Sequence, residues 1–243
     1  MSLAMARSIG LNDPALLREA AYIGGEWLAA SNGPTVAVVD PVSGEVLGEI
    51  PDCDEATTQA AIAAAQAAWP DWRARTSNER SALLDRWHAL VLENVEDLAR
   101  IMTAEQGKTF AEAQGEIRYA ASFIKWFAEE GRRTGGRNVN SPERDRRIIV
   151  LTEPVGVSAA ITPWNFPAAM ATRKIDPALA AGCTVILKPA GETPLTAMWI
   201  IDILERAGVP KGVVNYVLPS KTGPMISAIL HDPRVRNLSF TGS

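Results

Sequence analysis

The stretch Val157-Ser158-Ala159-Ala160-Ile161-Thr162-Pro163-Trp164-Asn165-Phe166-Pro167, with its sequel Thr184-Val185-Ile186-Leu187-Lys188-Pro189, decides the fold. Each is a short apolar run, the first beginning at Val155, that ends in a proline-marked loop. Such a run, without polar alternation, is what a strand covered on both faces looks like. Helices are expected from about Ala168 to Ala181 and from about Pro194 to Ala207. The unit repeats through Val213 to Val217, a helix around Met225 to Leu230 and a strand ending Leu238-Ser239-Phe240. Strands alternating with helices predict an α/β fold with a parallel, doubly wound sheet. Ligands of such sheets gather at the carboxyl ends of the strands, so the loops there are where chemistry is sought. No Gly-x-Gly-x-x-Gly follows any of these strands, so a nucleotide would have to be held without the standard phosphate fingerprint.

Upstream, residues 1–134 read as a helical part of the same domain. A short lead holds a strand and turn at Tyr22-Ile23-Gly24-Gly25-Glu26-Trp27. Asp54 is an N-cap for an alanine-rich helix that Pro70 is expected to close. Thr76 with Glu79, and Thr109 with Glu112, are spaced as capping boxes. The first box opens a helix with Leu83, Leu84, Trp87, Leu90, Val91, Val95, Leu98 and Ile101 on one face, ended by Gly107; the second opens one that runs to Gly131. Residues 135–153 change texture, with a Ser141-Pro142 turn, the charge run Glu143-Arg144-Asp145-Arg146-Arg147 and the β-rich Ile148-Ile149-Val150-Leu151. They predict a projecting hairpin whose charges form a solvated face. Residues 154–243 are the parallel part.

Composition removes several function classes. The 243 residues are 47% apolar and 21% charged, with a net charge of -4 that offers no basic stripe for nucleic acid. No apolar run is long enough to cross a bilayer, and the first segment lacks a signal-peptide core, so a cytoplasmic location is expected, with a targeting role for that segment left open. Two cysteines and two histidines, far apart, indicate neither a disulfide framework nor a metal site. Cys183 opens an apolar strand and reads as a buried, inert thiol, and Cys53 has no histidine nearby. His88 and His231 read as structural or solvated.

Three loops carry candidate chemistry. In the first, Pro167 suits the first position of a helix, which sets Asn165 at the helix amino terminus beside free backbone N–H groups. An amide there can donate to a developing oxyanion, worth about 3–4 kcal/mol, or can simply cap the helix. In the second, Lys188 ends a strand in Lys188-Pro189-Ala190-Gly191-Glu192-Thr193-Pro194, where a lysine is solvated about as often as it meets a ligand. In the third, Phe240-Thr241-Gly242-Ser243 would present N–H groups and a hydroxyl to a pyrophosphate.

Together these loops resemble the aldehyde dehydrogenase family. The match runs from Tyr22-Ile23-Gly24-Gly25-Glu26-Trp27 to Phe240-Thr241-Gly242-Ser243. Ile161-Thr162-Pro163-Trp164-Asn165-Phe166-Pro167 and Ala180-Ala181-Gly182-Cys183-Thr184-Val185-Ile186-Leu187-Lys188-Pro189-Ala190 are its specific parts. The resemblance implies a Rossmann-like coenzyme-binding fold and NAD(P)-dependent aldehyde oxidation. In the family a cysteine attacks the aldehyde and a glutamate activates water; both positions lie beyond residue 243, so this chain alone is expected to be inactive. By carry-over Asn165 is the oxyanion donor, and Thr162, Pro163, Trp164 and Asn165 line the nicotinamide side. Lys188, Pro189, Ala190 and Gly191 meet the adenosine ribose or its 2'-phosphate, while Gly242 and Ser243 meet the pyrophosphate. Lys174 matches a lysine linked to proton transfer, with a structural ion pair as an equal reading.

Where members that prefer NAD carry a ribose-binding glutamate, this chain has Gly191. A carboxylate about 4 Å from a 2'-phosphate would cost roughly 4 kcal/mol, so its loss favours NADP, unless Glu192 shifts into its place and favours NAD. The stretches Trp126-Phe127-Ala128-Glu129-Glu130-Gly131-Arg132-Arg133 and Asn165 to Lys174 look most like succinate-semialdehyde dehydrogenases. In these the Arg173 position faces the far carboxylate of the substrate; glutarate or 2-oxoglutarate semialdehyde would fit it equally, and pairing with Asp176 is the structural alternative. A homo-oligomer joined through the hairpin is implied. Other readings are a coenzyme-binding or assembly module without catalysis, or an unrelated doubly wound enzyme. An uncovered sheet edge at residue 243 would make the isolated chain poorly soluble or prone to assemble.

Overall fold

A computed structural model describes residues 8–29 and 33–242. Besides two short 3-10 helices (Pro14–Leu16 and Gly131–Arg133), seven α-helices and ten strands follow in order: β1 (Ala21–Ile23), β2 (Glu26–Leu28), β3 (Thr35–Val39), β4 (Val46–Pro51), α1 (Glu55–Ala74), α2 (Ser77–Glu93), α3 (Val95–Gln106), α4 (Phe110–Glu130), β5 (Arg137–Val139), β6 (Ile148–Val150), β7 (Val157–Ile161), α5 (Pro167–Ala181), β8 (Thr184–Lys188), α6 (Pro194–Arg206), β9 (Val214–Tyr216), α7 (Thr222–His231) and β10 (Val235–Phe240) among the described residues. The central sheet has the order β10-β7-β8-β9-β1-β2. Its first four strands are parallel, and β1 joins β9 antiparallel through Tyr22 and Tyr216. The doubly wound α/β architecture expected from the alternation is therefore present, with an antiparallel hairpin added at one edge.

Two cores lie on opposite faces of this sheet, as the period of two along a strand requires. On β7 and β8, Val157, Ala159 and Ile186 point to a core shared with Ala61, Ile62 and Ala65 of α1 and with Met225 and Ile229 of α7. Ala160, Val185 and Leu187 point the other way, to a larger core built with α2 through α6. In that core Trp87, Leu98, Ile117, Ile124, Ile175 and Trp199 are fully buried. Each such side chain contributes about 1.5–3 kcal/mol, so the helical layer is welded to the sheet rather than appended to it.

The helix signals operate largely as read. Asp54 accepts from the Thr57 amide, and both Thr76-Glu79 and Thr109-Glu112 form complete capping boxes. Gly107 and Gly182 end α3 and α5 in the left-handed conformation that a side chain would strain. Two expectations fail. Pro70 does not close α1, which continues to Ala74: the proline faces solvent, where water can serve the freed carbonyl, and burial of Trp72 draws the last turn inward. The helix expected from Thr76 to Gly107 is broken at Asn94, whose side-chain amide donates to the Leu90 carbonyl at 2.8 Å and competes with the helical ladder. The β3–β4 hairpin was not foreseen, although its valine-rich Thr35–Val39 and the following Asp40-Pro41 and Ser43-Gly44 are strand and turn signals. The hairpin at 135–153 consists of β5 and β6, with residues 142–151 exposed throughout. Among the described residues no helix is long and apolar enough to cross a membrane.

Candidate active site

The carboxyl ends of β7, β8 and β10 open into a cleft of about 570 Å³. Thr162, Pro163 and Trp164 line it from the loop after β7, Lys188, Ala190, Gly191 and Glu192 from the loop after β8, and Thr241 and Gly242 from the end of β10. Apart from Glu192 and Thr241, these are residues that the sequence assigns to a coenzyme; of the rest so assigned, Pro189 is buried, Asn165 does not line this cleft, and Ser243 lies outside the described residues. Lys188 is partly buried, and loss of hydration pulls its ammonium below the usual lysine range while the nearby Glu192 carboxylate pulls it back up. Its ammonium has neither a hydrogen-bond nor an ion-pair partner among the described residues, so the cleft offers a cation in want of an acceptor. A Cβ added at Gly191 would meet nothing within 4 Å, which leaves open space beside that cation. A phosphorylated or plain ribose fits this pairing of lysine and space.

The two helices that lead from the cleft are not free anion sites. The amides of Ala168 and Ala169, at the start of α5, donate to Glu116 Oε1 at 2.9 and 3.2 Å. Those of Leu195 and Thr196, at the start of α6, donate to Glu105 at 2.7 and 2.5 Å. The free N–H groups expected beside Asn165 are therefore taken, because a buried carboxylate from the helical layer satisfies them. Burial pushes the Glu105 carboxyl up to about 8, against the pull of its amide donors. The Thr241 amide is likewise used, donating to Ile161 in the sheet.

Asn165 is exposed and lines a neighbouring groove of about 450 Å³ with Gln106, Lys108, Glu112, Glu116, Tyr119 and Phe166. The N-cap position falls on Phe166, so Asn165 is not spent capping the helix. Arg173 reaches the same groove through Tyr119. Its Nη2 donates to the Tyr119 hydroxyl at 2.6 Å, and its guanidinium lies 4.4 Å from the centre of the Phe123 ring. It does not pair with Asp176, which is wholly buried with neither carboxylate oxygen hydrogen-bonded among the described residues. Lys174 is not in an ion pair among the described residues either. Its Nζ donates to Thr241 Oγ1 at 2.6 Å and Ser239 Oγ at 3.3 Å, and burial lowers its pKa. Lys174 thus ties α5 to the end of β10, at the rim of the cleft.

Sequence reading missed Glu105, Lys108, Glu116 and Tyr119. The signal was present for the acids: Glu105 continues the apolar stripe Leu98, Ile101, Met102, and Glu116 sits within Ala113, Ile117 and Ala120, where a charge needs a partner. Cys53 and Cys183 are both buried, out of reach of a substrate, and burial also raises the Cys53 thiol to about 11.

A family model described as "Aldehyde dehydrogenase family" matches residues 27–243. The chain is 54% identical over 233 residues to glutarate-semialdehyde dehydrogenase of Pseudomonas putida, covering 96% of this chain and 48% of that protein. It is equally 54% identical over 233 residues to the NADP(+) succinate-semialdehyde dehydrogenase GabD of Escherichia coli, with the same coverage of 96% and 48%. The solved succinate-semialdehyde dehydrogenase of Burkholderia pseudomallei superposes with a TM-score of 0.94 at 55% identity, covering 96% of this chain and 48% of that one. The chain spans about half the length of the curated relatives it matches.

Proposed function

Since this chain belongs to the aldehyde dehydrogenase family, we propose that it supplies the coenzyme cleft and part of the substrate site for NAD(P)-dependent oxidation of an aldehyde bearing a far carboxylate. The observation that carries this reading is Arg173. Its guanidinium is exposed, held by a tyrosine hydroxyl and an aromatic face, and has no carboxylate within 4 Å among the described residues. A fork of donors kept in place but without an acid is suited to take one from a substrate by two parallel charge-assisted bonds. Succinate and glutarate semialdehyde, named for the relatives, both present such an end, and 2-oxoglutarate semialdehyde would as well; succinate semialdehyde is the substrate favoured here.

In this reading Lys188, Ala190 and Gly191 would hold a nicotinamide coenzyme, which would supply the two-electron oxidant for the aldehyde, with water as the source of the second carboxyl oxygen. The Asn165 amide donates to the oxygen that gains charge, a contribution of about 3–4 kcal/mol in a site closed to water. Lys188 and the space at Gly191 receive the adenosine ribose, and an ammonium without a hydrogen-bond or ion-pair partner among the described residues favours a 2'-phosphate, hence NADP. Lys174, with its lowered pKa and two hydroxyl partners, is placed to hold and release a proton. The apolar side chains of Ile149 and Leu151 on the exposed hairpin support a homo-oligomer. Two buried free cysteines suit a reducing compartment, in keeping with a cytoplasmic site.

Steady-state kinetics of the whole dehydrogenase test the reading. Arg173→Ala is expected to raise KM for carboxylated aldehydes by about 10- to 100-fold and to leave neutral aldehydes within about threefold, the pattern of a lost charged contact. Equal losses for both classes would remove Arg173 from the substrate. Lys188→Ala is expected to cut kcat/KM with NADP more than with NAD, and an unchanged ratio would remove Lys188 from the 2'-phosphate.

A further inference from the structure

We propose that Lys108 and Glu116 are a positioning pair that fixes the loop bearing Asn165, and through it the aim of the Asn165 amide. The proposal rests on Asn165 being the oxyanion donor. The two side chains form an ion pair that is 13% and 1% exposed. Burying two charges is destabilising unless the geometry is good and their remaining hydrogen-bond capacity is filled. Here that capacity goes to one short segment. The Lys108 ammonium donates to the Asn165 carbonyl at 3.1 Å and lies 4.8 Å from the centre of the Phe166 ring. Glu116 Oε1 accepts from Ala168 and Ala169. The backbone from residue 165 to 169 is thereby gripped on both sides of Pro167, which has no N–H of its own.

The other buried cap shows that the lysine is not needed merely to start a helix. Glu105 binds the first amides of α6 in the same manner, yet no lysine or arginine lies within 4 Å of it among the described residues. The cation is added at the loop that carries the amide. Lys108 and Glu116 also line the groove into which Asn165 opens, so they hold the loop from the side on which the aldehyde would sit. Misplacing a catalytic donor by about 1 Å can cost on the order of 100-fold in rate, which gives such a pair its use.

Three measurements decide it. In the whole dehydrogenase, Lys108→Met is expected to lower kcat by about 10- to 100-fold with KM for the aldehyde within about threefold, and Lys108→Arg to recover most of the loss. In an Asn165→Ala background, Lys108→Met should lower kcat no further, because the pair acts through that amide. Amide hydrogen exchange across residues 165–169 should quicken by about tenfold or more in Lys108→Met while remote helices keep their protection. If a lone buried carboxylate keeps Lys108→Met from folding, the charge-free double variant Lys108→Met/Glu116→Gln retains an acceptor for the two amides and should show the same fall in kcat. Equal losses with and without Asn165, or unchanged exchange in a folded variant, would overturn the proposal. If instead Asn165→Ala left kcat intact, the oxyanion reading would fall by itself, while quicker exchange would still uphold the pair as the support of the loop.

Discussion

Asp176 shows what a single residue can cost. It lies on α5, wholly buried, with neither oxygen partnered among the described residues, and loss of hydration raises its pKa well above the ordinary carboxylate value. A carboxyl so placed stays protonated in the folded chain at pH values where the unfolded chain releases its proton. Stability is therefore greatest below the unfolded pKa and declines as pH rises toward the folded one. Asp176→Ala is expected to gain about 1–3 kcal/mol near neutral pH and less in mild acid, read as melting temperature across pH. A variant less stable at every pH would mean that the acid has a partner holding it in place. Helical spacing offers Asp176 to Arg173 as the alternative to a substrate carboxylate; the two are apart, because Arg173 turns out toward Tyr119 while Asp176 turns into the core.

At the scale of elements, the informative join is between the helical layer and the helices that leave the cleft. Glu105 of α3 stands in for an N-cap of α6, and its carboxyl sits near 8 rather than at the ordinary 4.5. Its contribution to stability is full below the unfolded pKa and is lost as pH rises through about 8. Glu105→Gln puts an NH₂ where one amide needs an acceptor, at a cost of about 1–3 kcal/mol. The loss should be larger near pH 5 than above about pH 8, because only the parent side chain titrates, and a loss independent of pH would show that Glu105 is ionised throughout. The parallel strands and most helix ends are legible in the sequence because caps and apolar runs are local. The long-range joins were not: Glu116 reaches α5 across 52 residues and Glu105 reaches α6 across 90, distances at which no spacing rule operates. What sequence did offer was an acid on an apolar stripe, a sign that some distant donor must meet it. The loops after β7 and β8 were legible through residue type and family resemblance together, since Asn165 and Lys188 alone admit bland readings.

For the molecule as a whole, residues 8–29 and 33–134 and residues 154–242 form one body through the larger core, and the hairpin stands apart from it. Arg144, Arg146 and Arg147 sit at its exposed tip, so brief trypsin treatment should cut there first, and the two pieces should still elute together on size exclusion. Early cleavage within α1 to α6, or separation of the pieces, would contradict this. The carboxylates at the starts of α5 and α6 explain why the pieces must stay together. Separating them would strand two acids in one fragment and four amide donors in the other, at about 1–3 kcal/mol for each group deprived of its partner. The strand-and-helix half consequently could not be transplanted as a free-standing nucleotide module, because its two principal helices begin on acids lent by the other half.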